Sequence, residues 1–98
     1  MVRTEGVERI RRNAYLRYIT NMLMDTYLVS QPKLASALGM RTEYVRDFAL
    51  EIRNIRHTNL NKFEDLFFDL FEPILVHELP ETIEEVEALI DIILRDAK

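Results

Sequence analysis

The chain has 98 residues, of which 48% are apolar, and carries a formal net charge of −4. That length suits one domain, residues 1–98, with a small core, and the absence of cysteine excludes a disulfide framework, a thiolate metal site and a cysteine nucleophile. Met1 to Gly6 is short and charged with no apolar run behind it, and no stretch approaches a membrane span, so a cytoplasmic protein with no membrane partner is expected.

Residues 6–28 read as a long first helix. Val7, Ile10, Ala14, Tyr15, Ile19, Met22 and Leu23 recur at spacings of three and four, the period of one helical face. Thr4 or Gly6 can start it. Arg9, Arg11, Arg12 and Arg17 fall mostly off that stripe, either reaching phosphates or forming a solvated face. Ser30 can cap the next helix, residues 32–38, with Pro32 in its first turn, where a missing amide costs little. Leu34, Ala35 and Leu38 share one face of that helix. Gly39 follows, where positive φ can turn the chain. Thr42 can cap a third helix, expected over residues 42–56, with Val45, Phe48 and Ala49 inward. Ala35 is small enough for close helix crossing, and Val45 is suited to wedge against it.

His57 to Asn61 is a polar break in which Asn59 or Asn61 can cap a fourth helix, residues 60–72; Asn61 and Glu64 have capping-box spacing. Leu60, Phe63, Leu66, Phe67, Leu70 and Phe71 form its inner stripe, with Phe68 outside it, exposed or at a subunit contact. Pro73 ends or kinks this helix, and Ile74 to Leu79 is either a helical turn or an extended link. The last helix, residues 82–96 and at most 97, starts at a Thr82–Glu85 capping box, has acids in its first turn and Arg95 and Lys98 near its end. Its apolar face of Ile83, Val86, Leu89, Ile90 and Ile93, widened by Ile92 and Leu94, is expected both to close the core and to form a dimer seam. The stretch is too short for a free coiled coil. The fold expected is all-α, a single small five-helix domain.

The spacing of Gln31, Leu34, Ala35, Leu38, Gly39, Val45 and Phe48 resembles the helix-turn-helix of the phage repressor and Cro (XRE-like) group of DNA-binding proteins. The match covers about 20 residues. A glycine usual in that family soon after the second motif helix is absent here, which leaves the docking of the next helix open. The resemblance implies a protein of bacterial, phage or plasmid origin that binds double-stranded DNA sequence-specifically, with the third helix in the major groove. It implies a phosphate contact at Gln31. Outward residues of the third helix, Arg41, Thr42, Glu43, Tyr44, Arg46 and Asp47, then face base edges: Arg41 or Arg46 toward guanine, Glu43 toward a cytosine amine. Lys33, Arg53 and Arg56 are candidate backbone contacts.

Charge distribution fits such a partner. Up to His57 there are ten Lys or Arg against six acids, net +4; from Thr58 there are three against eleven, net −8. Polyanion binding depends on the local field, not the total. A domain this small makes few base contacts, so a homodimer on a symmetric site is expected, acting as a transcriptional repressor or regulator or a mobile-element factor. The alternative is a protein-interaction module (antitoxin, antirepressor or DNA mimic) using the acidic half. No enzyme, cofactor, metal or small-molecule ligand is expected. His57 and His77 are the only histidines and lack ligand spacing, two glycines cannot build a phosphate loop, and the carboxylates of Glu81 to Glu87 suit an exposed helix face.

Overall fold

α1 (Thr4–Asp25) is the element on which α3 (Thr42–Ala49), α4 (His57–Glu78) and α5 (Ile83–Asp96) all pack, while α2 (Gln31–Leu38) lies against α3 and α4. The computed structural model describes residues 4–96; residue 97 of the expected last helix and the charges of Arg3 and Lys98 lie outside them. Five helices and no strand occur among the described residues, so the protein is all-α. The core joins Leu16, Ile19 and Leu23 of α1 to Leu34, Ala35 and Leu38 of α2, Val45 and Phe48 of α3, Ile55, and Leu60, Phe63, Phe67 and Leu75 of α4. Phe48, Phe63, Phe67 and Phe71 run through it as tilted or edge-on pairs with centroids 4.9, 5.9 and 6.4 Å apart, spacings at which ring edges meet ring faces favourably.

The inward face of α1 differs from the apolar stripe expected of it. Asn13, Arg17 and Thr20 are buried with Ala14, Leu16, Ile19 and Leu23, whereas Val7 and Ile10 are half-exposed. Each buried polar group is satisfied. Asn13 Oδ1 accepts from the Ile55 amide at 2.8 Å, and its Nδ2 donates to the carbonyls of Ile55 and Arg9. Arg17 donates from Nε to the Phe48 carbonyl and from Nη2 to the Arg53 carbonyl (3.0 Å) and Asn54 Oδ1 (2.8 Å), with its guanidinium 4.8 Å over the Phe48 ring. Asn21 donates to the Ala49 carbonyl at 3.1 Å, and Thr20 donates to Leu16 one turn back.

Asn13, Arg17 and Asn21, one turn apart, therefore grip the chain from Phe48 to Ile55. This corrects the length of α3, which stops at Ala49 and not near residue 56. Its end is a Schellman turn: the Ile52 amide reaches the Asp47 carbonyl (2.8 Å), the Glu51 amide reaches Phe48, and Glu51 takes φ +66°. The left-handed position that glycine ordinarily fills is thus present, occupied by glutamate.

Other boundaries shift for similar reasons. α1 ends at Asp25, three residues early, as Leu28 turns left-handed (φ +58°) and the Val29 amide bonds the Leu23 carbonyl. α4 begins at His57 with Arg56 in the cap position and no side-chain cap, so neither Asn59 nor Asn61 caps it. It also continues past residue 72 to Glu78. The ring at Pro73 removes a donor and crowds the preceding turn, and the helix bends where Phe71 leaves helical geometry (φ −122°, ψ 17°). The bend turns Leu75 into the core, with Ile74 and Leu79 half-buried beside it. Ser30 and Thr82 cap α2 and α5 as their positions predict, through the amides of Lys33 (3.4 Å) and Glu85 (3.2 Å).

Candidate nucleic-acid interface

α2 and α3 meet across a three-residue turn. Gly39 takes φ +72°, its amide bonds the Ser36 carbonyl, and the Met40 amide bonds Ala35 at 2.9 Å, a second Schellman turn. Ala35 and Val45 are both fully buried between the helices. The inner face of α3 is Val45, Phe48 and Ala49, and its opposite face is left to solvent.

Arg41, Glu43 and Arg46 stand exposed on that outer surface, and Thr42 and Asp47 are half-exposed. Arg41, not Thr42, occupies the cap position; Thr42 is the first helical residue, and no side chain caps the free amides of the first turn. Arg46 donates to Asp47 Oδ1 at 3.2 and 3.3 Å, a surface pair that leaves its reach outward little impeded. Gln31 opens α2, half-buried, with Lys33 exposed two residues on. Arg53 and Arg56 are exposed on the segment between α3 and α4.

Tyr44 departs from the outward set. Its ring lies under the Arg53 guanidinium (4.8 Å to the centroid), and its hydroxyl accepts from Asn59 Nδ2 at 2.8 Å. It lines a basin between α3 and α4 together with Met40, Arg41, Arg53, Asn59 and Lys62. Sequence reading missed Asn59 and Lys62 as site residues. The available signal was their spacing of three, which sets both on one face at the start of α4.

The basic cluster of α1 proves to be mostly internal. Arg11 pairs with Glu87 and, at 2.8 Å, with Asp91 of α5; these bonds, that to Asp91 foremost, hold its pKa above the ordinary guanidinium value. Arg12 donates to His57 Nδ1, Asn61 and Glu64 of α4. Burial lowers the pKa of Arg17, against the opposing charge of Glu51. By contrast, Lys33, Arg41, Arg53, Arg56 and Lys62 have no carboxylate partner among the described residues. Apart from Arg9, exposed on α1, the free positive charge among the described residues is therefore gathered around α2, α3 and the start of α4.

On α5, Ile90 is buried, Val86, Leu89 and Ile93 are half-buried, and Ile83 is 78% exposed. Leu89, Ile92 and Ile93 face Ile10, Ala14 and Tyr18 of α1 across an open groove. No group of three or more His, Asp or Glu positioned to hold a metal ion occurs among the described residues, and no helix among them is long and apolar enough to cross a membrane. Comparison with protein-family models, with curated proteins and with solved structures finds no match to the chain.

Proposed function

We propose that this chain is a helix-turn-helix protein that binds double-stranded DNA sequence-specifically, with α3 in the major groove, as a dimeric regulator of transcription. The observation that carries the reading is the α2–α3 unit. A left-handed glycine turn and the burial of Ala35 and Val45 in one core hold a short helix whose outer face is polar and exposed, flanked by Lys33, Arg53 and Arg56, which have no carboxylate partner among the described residues. A helix of eight residues is about 12 Å long, comparable with the width of the major groove.

In this reading Arg41 and Arg46 offer guanidinium forks to guanine acceptors, and Glu43 accepts from a cytosine amine. Thr42 meets a thymine methyl or a phosphate. Gln31, Lys33, Arg53 and Arg56 position the protein on the backbone without reading sequence. Exposed Ile83 and Ile92, with Leu89 and Ile93 beside them, support a homodimer seam along α5.

The test is enrichment of bound sequences from random duplex DNA at moderate salt. The expected result is a palindromic motif, with Thr42→Ala and Arg46→Ala weakening binding to it by roughly tenfold each. No retention of duplex DNA even at low salt would overturn the proposal. One observation favours a second reading. Phe68, Leu70 and Val76 are exposed on α4 among Asp65, Asp69 and Glu72, a surface suited to a protein partner. Association through it would respond weakly to salt, whereas DNA binding falls steeply.

A further inference from the structure

We infer that the basin between α3 and α4 is a phosphate-binding site that takes one phosphodiester of the DNA backbone, with the Tyr44 hydroxyl as a donor beside Lys62 and Arg53. This rests on the proposed DNA-binding reading and assigns a ligand group to one part of the surface.

A phenol has one proton to give and lone pairs to receive with. Asn59 Nδ2 donates to the Tyr44 oxygen at 2.8 Å, so the phenolic proton is turned away from Asn59 and is free for another acceptor. The Arg53 guanidinium, 4.8 Å above the ring, fixes the ring plane and brings a cation to the same place. Lys62 and Arg41 also line the basin, and all three cations lack a carboxylate partner among the described residues. Glu43 lines the rim as well, and Asp47 does so with its charge already met by Arg46.

Guanidinium, ammonium and phenol proton together form a cluster dominated by donors. A base edge offers donors and acceptors in mixture, whereas a phosphodiester offers acceptors alone with a negative charge. The cluster complements the phosphodiester. Tyr44 is accordingly a backbone contact on the flank of α3, and base recognition at its outer face falls to Arg41, Glu43 and Arg46.

The experiment uses a duplex carrying the enriched site, with single neutral methylphosphonate linkages walked along each strand. Wild-type protein should lose about tenfold in affinity at the linkage that meets the basin. Tyr44→Phe keeps the ring under Arg53 and removes only the hydroxyl. Lys62→Ala changes an exposed side chain and leaves the core intact. Each variant should bind the unmodified duplex about five- to tenfold more weakly and show a smaller loss than wild type at that one linkage while keeping the full loss at the others. Variants that keep both wild-type affinity and the wild-type linkage pattern would overturn the phosphate site while leaving DNA binding in place. Wild-type protein that binds no duplex would remove the functional reading itself, and this inference with it.

Discussion

A guanidinium that donates to two backbone carbonyls while lying over an aromatic ring cannot be replaced by a side chain lacking either its fork or its length. Arg17 does this at the end of α3. Arg17→Met would leave the Arg53 carbonyl without its side-chain donor and the Phe48 carbonyl with only the Glu51 amide, and is expected to lower stability by about 2–4 kcal/mol in urea unfolding. Arg17→Lys should recover only part of that, since an ammonium lacks the planar fork. This role was not legible in the sequence. Hydropathy classes an arginine as surface, and a buried one satisfied by carbonyls 31 and 36 residues away leaves no periodic trace. Two tyrosines carry a pH dependence. Burial raises the pKa of Tyr15, and a hydrogen bond to Glu78 raises that of Tyr27, both from a usual value of 10.0. The folded state thus holds the neutral phenols. Their contribution is complete below about pH 10 and is lost as pH rises through and above that value. Urea midpoints should hold up to about pH 10 and fall as pH rises above it, and fall less in a Tyr15→Phe, Tyr27→Phe double variant.

Two helices end in the same Schellman geometry, one with glycine and one with glutamate at the left-handed position. At Gly39 an added Cβ would meet nothing within 4 Å, so Gly39→Ala costs only the backbone preference, about 1 kcal/mol. At Glu51, φ +66°, the exchange runs the other way. Glu51→Gly should raise stability by up to about 1 kcal/mol, since the ion pair with Arg17 that it removes is long, at 4.0 Å. Thermal or urea unfolding of both variants would show opposite signs. The same comparison explains which boundaries could be read. α2 and α5 carry their own stop and start signals in Ser30, Gly39 and Thr82, so their limits followed from local chemistry. α3 and α4 are bounded by distant partners. Asn13, Arg17 and Asn21 end one, and the other passes through Pro73 because a bent helix buries Leu75. The turn motif itself was fully local, and Ala35, Gly39, Val45 and Phe48 stand where their spacing set them.

For the molecule as a whole, the arrangement of charge matters more than its sum. Arg11, Arg12 and Arg17 of α1 are spent on α5, α4 and the end of α3, which leaves the cations around α2, α3 and the start of α4, with exposed Arg9, to set the outward field. Under the proposed function, Lys33→Gln and Arg56→Gln should each flatten the dependence of log K on log salt by roughly 0.9. Arg11→Gln should leave that slope unchanged, because its charge is matched by Glu87 and Asp91. Titrations from roughly 50 to 300 mM salt, over which the screening length falls about twofold, would measure both. The split of charge along the chain was visible from composition, but its use was not, because pairing depends on which helices meet. There is also a consequence in how α3 is held. The side chains that anchor it, Val45, Phe48 and the α1 residues gripping its end, are a different set from Arg41, Glu43 and Arg46, which are exposed and outside the core. The outer set is therefore open to randomisation in a combinatorial library at little risk to folding, so that, under the proposed function, a new target preference can be selected on an unchanged scaffold.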